Sequence, residues 1–163
     1  MLISFIISQN KNIPAIKRSI ELLSRSGGER KIDRRGREYY TFPSAETISF
    51  MSEDALKGCS LGYRWKYVKV AAQSVLSGEL DLRNLMQAEE NTSIRQLASL
   101  YGVGIKVANC MALFGLHHLN AFPIDVWVRR IMENEYPNGY PFERYAPYNG
   151  IYQQYMFAYY RDR

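Results

Sequence analysis

Residues 101–114 read YGVGIKVANCMALF: two glycines bracket a valine, and a lysine then opens an apolar helix. Glycine reaches positive φ and lets another backbone approach closely, so Gly102 and Gly104 mark a tight reversal. Residues 92–100 before it and 106–116 after it have helical character, which predicts a helix, a turn over 101–105 and a second helix. Lys106 is the odd member. A cation at a helix N-terminus opposes the macrodipole, so something other than helix stability favours it there. Successive N–H groups at such a terminus are ready to hold a phosphate, although an ordinary tight turn between packed helices explains the glycines too.

The rest of the chain repeats the helical period. Residues 2–8 read as a buried helix, and Ile13, Ile16, Ile20 and Leu23 give a second that ends at Gly27-Gly28. ERKIDRRGREYYTF (29–42) alternates weakly around Arg35-Gly36 and predicts a small basic hairpin, whose charges read equally well as a solvated run. Ser44 and Ser52 are candidate N-caps of two short helices, and Gly78 stops a longer helix over 64–77. NTS at 91–93 fits a glycosylation sequon but reads better as a helix cap. Further helices are predicted over 126–136 and about 151–161, with the Pro-, Gly- and Asn-rich YPNGYPFERYAPYNG as a loop between them. The expected fold is mainly α, one domain of two helical lobes with a small β-hairpin.

Composition limits the partners. Lysine plus arginine outnumber aspartate plus glutamate by 21 to 16, which suits a polyanion without proving one. Two cysteines, Cys59 and Cys110, make neither a four-ligand metal cluster nor a disulfide framework, and point to a reducing, cytoplasmic setting. The apolar opening MLISFII is too short to span a membrane. A second signal lies in NAFPIDVWVRRIMENEY, where Pro123 fixes an extended entry and Asp125 precedes Val128, Ile131 and Met132 at helical spacing. Capping alone explains an aspartate at such a place.

The two signals together resemble the helix-hairpin-helix DNA glycosylases of base-excision repair. GVG-x-K-V-A-x-C is followed nineteen positions after the lysine by P-x-D-V, and SQNKNI (8–13), FPS (42–44), LGYRWKYV (61–68) and GIYQQYMF (150–157) match in order. Within that superfamily the pattern is most similar to the 8-oxoguanine DNA glycosylase/AP lyases. No cysteine cluster follows, which disfavours the iron–sulfur branch.

The resemblance implies a role for each residue. Lys106 attacks the sugar's anomeric carbon as a neutral amine, expels the base and forms a Schiff base. The positive end of a helix disfavours an ammonium, so the placement of Lys106 acquires a chemical reason. Asp125 stabilises oxocarbenium character at the sugar. Cys110 and Phe157 sandwich the extruded base, and Gln153 hydrogen-bonds its pairing edge; for Cys110 and Phe157 simple core packing is the competing explanation. Asn10, Tyr63 and Arg64 fill the vacated space and hold the orphaned cytosine, while Gly102 and Gly104 contact the backbone. The expected partner is double-stranded DNA bearing an oxidised guanine, bound by a monomer with no membrane association, no cofactor and no metal.

Four departures weaken parts of that expectation. The family's β-rich N-terminal domain, which supplies the backbone acceptor that separates 8-oxoguanine from guanine, has no counterpart in these residues. Tyr101 stands where a proline is usual, Trp127 where eukaryotic members have a histidine, and Lys11 where an asparagine is usual. A bifunctional glycosylase core, a non-catalytic DNA-binding remnant and a glycosylase for another lesion are therefore the three functions to separate.

Overall fold

Asn12, Ser44 and Ser52 start three helices in the same way: each side chain accepts the backbone N–H three residues on, at 2.9, 3.0 and 3.2 Å. That bond satisfies one of the donors a helix start leaves open. The computed structural model describes residues 1–161, and the chain divides into two units.

The first unit comprises Met1–Asp81 and Leu100–Val103. It holds α1 (Leu2–Ser8), α2 (Ile13–Gly27), strands β1 (Arg30–Ile32) and β2 (Glu38–Tyr40), α3 (Ala45–Phe50), α4 (Glu53–Gly58), a 3₁₀ turn (Gly62–Arg64) and α5 (Trp65–Leu76). The strands pair antiparallel with Arg30 opposite Tyr40 and Ile32 opposite Glu38, as the alternation at 29–42 predicts. Ile6, Ile7, Leu23, Ile48, Leu61 and Val68 are fully buried at its core.

The second unit comprises Leu82–Ser99 and Gly104–Arg163. It holds α6 (Leu82–Gln87), α7 (Glu90–Ala98), α8 (Ile105–Gly115), α9 (Val126–Glu135), α10 (Phe142–Tyr145) and α11 (Asn149–Arg161). α7 packs against α8, and α9 against α11. Two readings of the sequence change here. NTS is not the cap of α7: the Glu89 carboxylate accepts from Asn91 N at 3.0 Å and Thr92 N at 2.9 Å, and Asn91 to Ser93 lie inside the first turn. The stretch 136–150 is not only a loop, because it forms α10 and an aromatic cluster. Phe122, Val128 and Tyr140 are buried there, with Tyr136 and Tyr145 packed on them. Ring packing without a helical or strand period holds this region, so periodicity does not reveal it.

The turn between α7 and α8 uses its two glycines differently. Gly102 has φ +82°, and a Cβ there would lie 2.1 Å from the Tyr67 ring. Gln9 Nε2 donates to Gly102 O at 2.9 Å and fixes the same turn. Gly104 has φ −83°, and a Cβ there would meet nothing within 4 Å. Gly102→Ala is therefore expected to destabilise the protein by about 1–3 kcal/mol. Gly104→Ala should cost less, since only its cap preference changes. Melting temperatures of the two variants check this; equal losses would show that Gly102 is not sterically required.

Candidate active site

α8 begins without a side-chain cap. Its N-cap is Gly104, and its first turn carries no acidic residue. Lys106 sits in that turn, exposed, where the positive helix end is uncompensated. One turn on, Cys110 is only 5% exposed on the face that Lys106 shares. Burial pushes the Cys110 thiol up, the nearby Asp125 carboxylate adds to the rise, and a hydrogen bond and charge from Lys106 oppose it. The thiol is thus a neutral packing group, and Lys106, Cys110 and Asp125 come together around it.

Asp125 is the N-cap of α9, with its Oδ1 accepting from Val128 N at 2.8 Å. Its Oδ2 has no hydrogen-bond partner among the described residues. One oxygen holds the helix. The residues leading to Asp125 are held from both sides. Asn109 Oδ1 accepts from Phe122 N at 3.1 Å, and Gln153 Nε2 donates to Pro123 O at 3.1 Å.

Gln153 is buried, and besides Pro123 its amide takes a hydrogen bond from Gln154. One of its two amide N–H groups is thus engaged by the backbone. Phe157 is half-buried and packs against the cluster of Phe122, Val128 and Tyr140. Sequence reasoning missed Asn109. The available signal was an asparagine inside an otherwise apolar helix, where it is a poor helix former.

In the first unit, Asn10, Tyr63 and Arg64 also meet. Asn10, with φ +47°, donates from Nδ2 to Tyr63 Oη at 3.3 Å. The Arg64 guanidinium lies over the Tyr63 ring at 4.4 Å. Arg64 is 5% exposed; its Nη1 donates to Leu61 O at 3.3 Å and its Nη2 to Asn10 O at 3.4 Å. Its Nε has no partner among the described residues. Lys11 braces the adjoining turn, donating at 2.5 Å to both Ser19 Oγ and Ser60 O. Burial, and then the Arg64 charge, hold its ammonium below the usual lysine range. Among the described residues no cluster of side chains suits a metal ion, and no helix is long and apolar enough to cross a membrane.

These arrangements can be set beside known proteins. No family model matches the chain. It is 32% identical over 154 residues to a probable N-glycosylase/DNA lyase of Methanothermobacter thermautotrophicus, covering 83% of this chain and 49% of that one. It is 35% identical over 137 residues to the N-glycosylase/DNA lyase OGG1 of Arabidopsis thaliana, covering 82% of this chain and 37% of that one. The chain thus spans half or less of these relatives. Among solved structures, the Clostridium acetobutylicum 8-oxoguanine glycosylase/lyase, in complex with double-stranded DNA containing cytosine opposite 8-oxoguanine, superposes with a TM-score of 0.89. That match has 34% identity and covers 99% of this chain and 58% of that one. By sequence and by fold, the chain is thus similar, over part of their length, to N-glycosylase/DNA lyases and to the 8-oxoguanine glycosylase/lyases among solved structures.

Proposed function

We propose that the chain carries the chemistry of a base-excision repair DNA glycosylase with AP lyase activity, acting on 8-oxoguanine opposite cytosine. The observation that carries this reading is the gathering of Lys106, Cys110 and Asp125 at the uncapped start of α8. Phosphate binding by a hairpin needs backbone N–H groups alone, so a pure binding module requires neither Lys106 nor Asp125.

In the proposed reaction the target nucleotide leaves the duplex. The neutral Lys106 amine attacks C1′, the C1′–N9 bond breaks with its electron pair going to the base, and the departing base takes up a proton. The unpartnered Oδ2 of Asp125 stabilises positive charge at C1′ as that bond stretches. Loss of the amine proton and opening of the sugar leave a protonated imine between Lys106 and C1′. Removal of a C2′ proton then expels the 3′ phosphate and nicks the strand. The empty space beside Gly104 suits close approach of a phosphate to the N–H groups of the first turn of α8. The protein acts as a monomer on duplex DNA in a reducing compartment, and both cysteines are buried and free.

Borohydride reduces the imine to a stable amine, so trapping on duplexes carrying 8-oxoguanine, uracil or an abasic site tests the reading. An adduct with the 8-oxoguanine duplex supports it. An adduct with the uracil duplex only would assign another lesion, and no adduct with any of the three would leave only DNA binding.

The opposite-base assignment has its own test. Arg64 supplies donors that suit the acceptor edge of cytosine, and Asn10 and Tyr63 stand exposed beside it. Arg64→Ala should cost about 1–3 kcal/mol in discrimination for cytosine. The ratio of excision rates opposite the four bases measures this and cancels any loss of folded protein. An equal loss opposite all four would make Arg64 a phosphate contact.

A further inference from the structure

Residues 119–125 have no regular secondary structure, yet this stretch delivers Asp125. Besides the bonds at Asn120 and Ala121, three hydrogen bonds tie it to the flanking helices. Gly150 N donates to Leu119 O at 2.9 Å, Asn109 Oδ1 accepts from Phe122 N at 3.1 Å, and Gln153 Nε2 donates to Pro123 O at 3.1 Å. Gly150 and Gln153 belong to α11, whereas Asn109 belongs to α8, the helix of Lys106. The same Asn109 amide donates from Nδ2 to Ile105 O at 2.9 Å. One planar group therefore reaches from the carbonyl just before Lys106 to an N–H three residues before Asp125.

Helix stability does not explain the choice. Asparagine lies well below alanine or leucine in helix propensity, and its side chain competes with the helix ladder by bonding the backbone. Packing does not explain it either, because Asn109 is half-exposed between buried Ala108 and Cys110.

We propose that Asn109 is a positioning residue, whose amide holds the segment that carries Asp125 in register with the helix that carries Lys106. It touches neither the sugar nor the base and acts through the placement of the carboxylate. The inference rests on the glycosylase reading. A carboxylate that stabilises charge at one carbon is sensitive to placement, and an error of about 1 Å can cost on the order of a hundredfold in rate.

The test compares the parent, Asn109→Ala, Asp125→Asn and the double variant. Single-turnover excision of 8-oxoguanine at saturating protein is measured beside borohydride trapping on a duplex with a preformed abasic site. Asn109→Ala should slow excision by about tenfold or more while trapping stays within about twofold of the parent, because the preformed site no longer needs the glycosidic bond broken. In the Asp125→Asn background the same substitution should add little, since two residues acting through one group are not additive. Asn109→Gln, which keeps the amide but moves it by one methylene, should show the same split if the alanine variant folds poorly. Hydrogen exchange at Phe122 N should quicken in either variant.

Equal losses of excision and trapping, full additivity with Asp125→Asn, or unchanged exchange at Phe122 would each overturn the proposal while leaving the glycosylase reading intact. A parent that neither excises nor traps would overturn the reading, and this proposal with it.

Discussion

Lys106→Gln abolishes borohydride trapping and strand nicking if Lys106 is the nucleophile. Glutamine has nearly the same helix propensity as lysine and comparable reach, so α8 should survive the change. Removing a cation from the positive end of a helix should leave stability unchanged or slightly raised. An amide nitrogen is not a nucleophile toward a sugar carbon and cannot form an imine, so no adduct can be reduced. Affinity for a lesion duplex should change little, because the N–H groups at Gly104 and beyond are backbone groups. Trapping at the parent's rate would mean that another amine does the chemistry. Retained binding with lost trapping is the expected pair of results, and gel-resolved adduct yield with a binding titration measures both.

Asp125→Asn separates structure from chemistry at a single residue. The carboxylate accepts Val128 N at 2.8 Å, and an asparagine oxygen accepts the same bond with nearly equal cap preference. The melting temperature should therefore hold. The second oxygen, which has no partner among the described residues, would lose its negative charge. Loss of one well-placed transition-state interaction costs about a hundredfold or more in rate, so single-turnover excision should fall by that order. Asp125→Ala should lose the rate and, in addition, about 1 kcal/mol of stability through the missing cap. Should asparagine excise as fast as aspartate, Asp125 is only a cap.

Much of the helical plan was legible because its signals are local. Ser44 and Ser52 cap helices by bonding an N–H three residues away, a pattern that spacing alone exposes. The Gly-Val-Gly turn followed by Lys106 was legible for the same reason. The aromatic cluster around Tyr140 was not, because rings from distant positions pack there in an order that no repeat announces. Glu89 escaped notice as a cap because the sequon-like NTS beside it is the commoner capping composition. Asn109 escaped for a different reason. Its contact with Phe122, thirteen residues on, becomes visible only when both backbones are placed. Gln153 makes a contact of the same hidden kind: one of its two amide N–H groups donates to Pro123 O, thirty residues back.

The amine and the carboxylate lie in the second unit, and Asn10, Tyr63 and Arg64 lie in the first. On the proposed reading, breaking a bond and judging the base across the helix are thus heritable separately. A lineage can drift at positions 10 and 63–64 and change which mispairs it tolerates, while residues 104–125 continue to cut. Such a split lets opposite-base preference diversify faster than reaction type, and it predicts that chimeras exchanging the first unit between relatives would inherit one parent's preference and the other's chemistry.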